Sequence, residues 1–290
     1  MTRKKIIYKF FPIILIIIII FSITSCKSVN KRPSGQKDNI GSKQSEQKKQ
    51  PPKSLSSLEN STKKMIEDLE NIKKNKQNKN EKDREKKQSE ESQSNEKNDE
   101  QNTKGEKQTK ENTSNKTASK ETQINWEVFD KNIQEMHKKW NEYEVQAKED
   151  GADSQLINAF KSQLNLLTEK IMGKNEYEVL VEANNLYKYF PQFLNLYKHN
   201  APPETLEIKY YARQILIDAE KNSWENTNIL LDGIKKSWAT AKSRMEKPDK
   251  TLNKMIDFAI EDFIKVTNEK KLELAKLKGQ ILMDNIDKIK

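Results

Sequence analysis

The chain has 290 residues, a formal net charge of +10, one cysteine and two histidines. One cysteine excludes an internal disulfide framework and a cysteine-rich metal cluster. The positive excess does not mark a nucleic-acid binder: residues 27–123 hold 24 basic and 17 acidic groups, whereas residues 124–290 hold 26 and 27, so the part able to fold carries no basic stripe and no nucleic-acid partner is expected.

Arg3, Lys4, Lys5 and Lys9 form a basic leader, followed by an apolar run from Phe10 to Phe21 that only Pro12 interrupts. Basic leader, short apolar core and small residues make the three-part pattern of a secretory signal. A membrane span needs about 20 apolar residues, and this run stops at Ser22. Ile23-Thr24-Ser25-Cys26 resembles the lipobox of bacterial lipoproteins. The resemblance implies a signal peptide over 1–25, thioether-linked diacylglycerol on Cys26, and a further acyl chain, palmitate for example, on the new amino terminus. It also implies a lipid anchor in the cell membrane, with the protein on the extracytoplasmic face. A thiol suits the chemistry because sulfur is the strongest side-chain nucleophile, and two or more acyl chains hold a protein on a bilayer stably.

Residues 26–123 read as a disordered polar linker. No aromatic residue occurs between 27 and 123, and so few apolar side chains cannot offset chain entropy. As a flexible coil the linker would span about 55–60 Å. Within it, residues 61–75 read as solvated chain first and as a short, transient helix or docking motif second, since Met65, Ile66, Leu69 and Ile72 fall at helical spacing behind Ser61 or Thr62 as a cap.

Residues 124–290 read as one helical domain, an all-α bundle of five to six helices. Stripes recur at three and four: Ile157, Phe160, Leu164, Leu167; then Leu180, Ala183, Leu186, Phe190; then Ile256, Ala259, Phe263, Val266, Leu274, Leu277 and Ile281. Breaks are expected at Gly151, Gly173, the 199–204 stretch with its two prolines, Ser223 as a cap for a helix at Trp224, and 246–251; Pro191 should kink or end its helix. The last stripe reads as a long helix or a hairpin; a coiled coil between chains would carry Lys270 in its seam, which argues against it. Trp126 and Trp140 are 14 residues apart, as are Trp224 and Trp238, and Phe160 and Phe258 each lie 20 residues past the second tryptophan. Fourteen residues return to within about 40° on a helix, so the echo is compatible with a duplicated helical unit.

Catalytic patterns are missing from the sequence: no Gly-x-Ser-x-Gly, no glycine-rich phosphate loop, no His-Glu-x-x-His. No enzymatic role, metal or cofactor is expected, and His137 and His199 read as solvent-facing. The stretch 182–203 is dense in aromatics, and Asn184 and Asn185 precede Tyr187, Tyr189 and Tyr197. Asparagine is a poor helix former, so a buried pair there would bond either a ligand or a neighbouring helix. Lipobox, polar linker and C-terminal domain together resemble surface lipoproteins of low-GC bacteria. The expected function is a lipid-anchored, extracytoplasmic binding or interaction protein of the cell envelope, with a protein or wall component as partner. The alternative is a solute- or metal-capture lipoprotein serving a transporter. The two readings differ in what they require: an exposed apolar patch for the first, a polar-lined cavity for the second.

Overall fold

The computed structural model describes residues 48–94 and 124–290. The expected signal peptide at 1–25, the lipobox-like stretch with Cys26, and the expected linker stretches 27–47 and 95–123 lie outside the described residues. Nine helices occur among the described residues, with no strand: α1 (Lys53–Ser94), α2 (Trp126–Glu149), α3 (Ser154–Met172), α4 (Glu176–Tyr187), α5 (Phe190–Leu194), α6 (Glu204–Glu220), α7 (Thr227–Arg244), α8 (Lys250–Asn268) and α9 (Leu272–Ile286).

Short polar residues set the starts. Asp153 caps α3 by accepting from Gln155 N, and Asp249 caps α8 by accepting from Thr251 N and Leu252 N, satisfying donors that a helix start leaves orphaned. Gly151 ends α2 with φ +85, a left-handed conformation natural to glycine. At the end of α3 the left-handed residue is Lys174 (φ 53), one past Gly173. Pro191 falls in the first turn of α5, so the chain bends between α4 and α5. Ser223 does not cap a helix at Trp224: its N–H returns to Asp218 O, and α7 begins at Thr227.

The linker expectation needs a correction. The short helix at 61–75 is part of the 42-residue α1, and α1 belongs to the folded unit expected to begin at residue 124. Leu55, Leu58, Met65, Ile66 and Leu69 are all buried, with Thr62 in the same stripe bonding Leu58 O. Each such side chain contributes about 1.5–3 kcal/mol when buried, enough to hold a helix that composition alone would leave unfolded. The covering surface comes from α2 and α4, more than fifty residues later in the chain. Where a coil was expected, this segment is a rod of about 63 Å, at about 1.5 Å per residue. Its entry is tied down: Lys198 N donates to Lys49 O (2.7 Å), Lys48 Nζ reaches Asn195 O (2.7 Å), and Lys49 pairs with Asp150 (3.4 Å).

Two hydrophobic cores result. The first, between α1, α2, α3, α4 and α5, is aromatic, with Phe129, Trp140, Tyr143, Phe160, Tyr187, Phe190, Phe193 and Tyr197 buried. The second, between α6, α7, α8 and α9, is mostly aliphatic, with Trp238 and Phe263 among Ile208, Ile215, Ile234, Ile256 and Leu282. Helix α6 serves both, giving Ile217 to the first and Ile208, Ala212 and Ile215 to the second. Close approaches fix the second core. A Cβ at Gly233 would stand 2.7–2.9 Å from the Tyr211 ring, and one at Gly279 would meet Phe263 at 3.0 Å and Leu216 at 3.1 Å.

The long stripe from Ile256 to Ile281 is not one face. Lys270 (φ 54) breaks it into the α8–α9 hairpin. Helix α9 then turns Ala275, Leu282 and Ile286 inward, leaving Leu274, Leu277 and Ile281 exposed. The tryptophan echo is also partial. Trp140 and Trp238 are both buried, but Phe160 is fully buried while Phe258 is 64% exposed.

Candidate functional site

The five candidate ligand residues do not converge. Asn184 is fully buried on α4 and meets α6. Its Nδ2 donates to Gln214 Oε1 (3.0 Å) and to Tyr210 O (3.3 Å), and its Oδ1 accepts from Arg213 (3.3 Å). Asn185 points elsewhere, donating to Glu182 (3.0 Å), which also accepts from Gln163 (2.7 Å). Tyr187 lies beneath the Arg213 guanidinium, 5.5 Å from ring centre to Cζ, and its hydroxyl is buried without a hydrogen-bond partner. Tyr189 is half-buried with its edge toward Phe160. Tyr197 sits at the far end of the first core, its Oη 3.4 Å from that of Tyr143. Burial, together with the negative charge of Asp150, pushes the Tyr197 hydroxyl up to about 12. Of the five, only Asn184 and Tyr187 share an environment, and it is an inter-helix contact.

Charged residues that the sequence reading passed over complete that contact. Arg213 and Lys209 are one turn apart on α6 and almost fully buried. Buried cations persist only when paired. Arg213 Nε donates to Glu70 of α1 (3.0 Å), and Lys209 pairs with Asp287 just past α9. Burial raises the Glu70 carboxyl above its usual range, partly offset by Arg213; burial likewise raises Glu59, partly offset by Lys209 and Lys63. Burial also lowers the Lys209 ammonium. The signal was legible in principle: Lys209 and Arg213 interrupt the stripe of Ile208, Ala212 and Ile215. Glu70–Arg213–Asn184 clamps α1 and α4 to α6, which makes it a structural joint between the two cores.

Beside this joint, α1, α4, α6 and α9 enclose a cleft of 380 Å³ with Leu69, Leu180 and Tyr177 among its walls. Its charges pair with one another. Lys73 and Lys276 both meet Glu220, Lys76 meets Glu176, and Lys221 lies over the Tyr177 ring at 4.3 Å. Burial and the neighbouring Lys276 lower the Lys73 ammonium, despite Glu176 and Glu70 nearby. The histidines are half-buried instead of solvent-facing. His137 shares a hydrogen bond with Thr168 (2.8 Å), and burial lowers both rings below the usual imidazole value. Among the described residues there is no group of three or more His, Cys, Asp or Glu placed to hold a metal ion, and no helix long and apolar enough to cross a membrane.

The open apolar surface lies on the C-terminal hairpin. Among the described residues nine large hydrophobic side chains are exposed, and five of them, Met255, Phe258, Leu274, Leu277 and Ile281, belong to α8 and α9. A groove of 710 Å³ runs between α7 and α8, floored by Trp238, Ala239, Ile260 and Ile264. At its edge Trp238 Nε1 donates to Asp257 (2.6 Å), and Lys242 bonds the same carboxylate oxygen (2.8 Å). Burial would raise Asp257, but these bonds win and hold its carboxyl below the usual range. Comparison with protein-family models, curated proteins and solved structures gives no match for this chain.

Proposed function

We propose that this chain is a lipid-anchored interaction protein of the bacterial cell envelope, carried outside the membrane by diacylglycerol on Cys26 and binding a protein or wall component through its helical domain. The observation that carries the binding half is the concentration of exposed apolar side chains on one hairpin. Leu274, Leu277 and Ile281, spaced three and four apart, give α9 an apolar outer stripe. Contiguous exposed apolar surface of this kind marks interaction sites. The anchoring half rests on the leader and the lipobox at Ile23–Cys26.

Two measurements test the two halves. Cells fed labelled palmitate should label the wild-type chain, while Cys26→Ala should accumulate as unlabelled precursor; equal labelling of the variant removes the anchor. A photo-crosslinking residue at position 277 in intact cells should give a discrete adduct that the same probe at Lys161, on exposed α3, does not; matching adduct patterns at the two positions remove the binding surface. The second reading, solute capture with a transporter, is favoured by the 380 Å³ cleft, and would require a titratable heat of binding for a small charged solute that Tyr177→Ala abolishes.

A further inference from the structure

The outer face of α8 carries a pattern that fits itself. Lys254, Phe258, Glu261 and Lys265 are all exposed and are spaced four, three and four apart, the seam spacing of a helix pair. Phe258 projects from this seam as a knob. It stands on the rim of the groove between α7 and α8, whose lining also includes Trp238, Ile260 and Ile264. A two-fold axis crossing α8 between residues 257 and 258 brings the Phe258 rings of two copies together beside the axis, the reciprocal geometry of an isologous contact.

Charge agrees with that register. An antiparallel α8 pair about this axis places Lys254 opposite Glu261 of the second copy, and Glu261 opposite its Lys254. Within one chain neither makes an ion pair among the described residues, whereas their neighbours Asp257 and Asp262 are engaged by Lys242 and Lys278. The chain's own linker is a poor occupant: residues 95–123 contain nothing more apolar than Ala118, and residues 27–47 offer only Val29 and Ile40. We propose that the outer face of α8 is a homodimer contact, closed by the Phe258 rings of two copies meeting at the axis and registered by reciprocal Lys254–Glu261 pairs. The same register brings Lys250 near Lys265 at each end, which limits the affinity.

The test uses the full chain in mild detergent with Cys26→Ser, so that introduced thiols are the only ones. Chains bearing Lys254→Cys and chains bearing Glu261→Cys are mixed and oxidised. The mixture should give a covalent dimer. Each variant alone should give little, because like positions lie seven residues, about 10 Å, apart along the helix. Met172→Cys, on exposed α3, should give none. No dimer from the mixture, or as much from Met172→Cys, overturns the proposal, as does cross-linking to other proteins only. Sedimentation supplies the second measurement. Lys254→Glu should weaken association about tenfold, near 1.4 kcal/mol, and adding Glu261→Lys should restore it to within about threefold. Lys265→Glu should strengthen it. A weakening that the double reversal fails to rescue would overturn the register and the proposal with it.

Discussion

Trp140 and Trp238 begin alike and end differently. Each lies 14 residues past another tryptophan, on the first helix of a helical hairpin, and each is buried. Around Trp140 the protein closes completely. Phe160 stacks on it with ring centres 4.4 Å apart, Phe190 and Phe193 meet Phe160 edge-on at 5.5 Å, and the indole nitrogen is sealed away without a partner. Around Trp238 the nitrogen is bonded to Asp257, a lysine lies over the ring at 5.3 Å, and Phe258 stands in solvent. The difference comes from the helices that succeed each hairpin. After α3 the chain adds α4 and α5, whose aromatic run covers the Trp–Phe pair. After α8 it adds α9, which packs on α6 and on the Phe263 side of α8. A periodic pattern thus decides which face of a helix a tryptophan occupies, and the chain that comes later decides whether that face is closed.

Paired substitutions break this comparison most directly. Phe160→Ala removes a fully buried ring and should cost about 3–5 kcal/mol in denaturant unfolding. Phe258→Ala, measured at concentrations too low for association, should stay within about 0.5 kcal/mol of wild type. Equal losses at the two positions would mean that Phe258 is covered in the free chain. Next in size is the joint between the cores. Arg213→Met leaves the Glu70 carboxylate and the Asn184 carbonyl without their donor and should cost about 2–4 kcal/mol, discounted because Glu70 keeps part of its exposure. The loss should show as faster amide exchange in α1, while α7 and α8 exchange as before; uniform acceleration through both cores would contradict a local joint.

Much of this is readable in the chain alone, for physical reasons that differ by element. Helical spacing and scarce glycine point to the all-α class, and Asp153 and Asp249 act as caps because their short carboxylates reach the first free N–H groups. Asn184 is legible as a buried polar group, although its partners, lying 26 to 30 residues away on α6, are not foreseeable. Helix α1 is underestimated by composition because 25 of its 42 residues are lysine, glutamate, asparagine or glutamine, and its five buried apolar side chains look isolated until α2 and α4 surround them. The exposure of Leu274, Leu277 and Ile281 is hidden by a phase change. One left-handed residue, Lys270, restarts the helix and rotates the stripe outward.

A smaller effect is expected where α6 and α7 nearly touch. Gly233→Ala raises helix propensity by about 1 kcal/mol but drives a methyl group into the Tyr211 ring, which lies under 3 Å from that position. The clash should win, for a net loss of about 1–2 kcal/mol. Tyr211→Leu in the same chain should recover much of it. A stabilised Gly233→Ala would mean that the tyrosine swings aside freely and that the second core is looser than the first.

The smallest effect separates the cores by pH. Burial holds the Glu59 and Glu70 carboxyls above their unfolded values, so the folded state keeps protons that the unfolded chain has released. Docking of α1 should therefore strengthen as pH falls from neutral through these raised values, and level off below the ordinary glutamate range near 4.3. Asp150 and Asp257 act in the opposite sense. Their carboxyls are lowered in spite of burial, Asp150 by bonds from Tyr197, Gln146 and Lys49, Asp257 by Lys242 and Trp238, and the stability they contribute is lost as pH falls through that lowered range. A global melt mixes the two signs. Amide exchange resolved by helix, corrected for its intrinsic pH dependence, separates them: protection of α1 should rise on going from pH 7 to about 5 relative to α7 and α8. Glu59→Gln with Glu70→Gln should abolish the rise, because an amide neither gains nor loses a proton. If α1 protection is flat in the wild type, or rises equally in the double variant, the buried acids of α1 do not set its grip on α6.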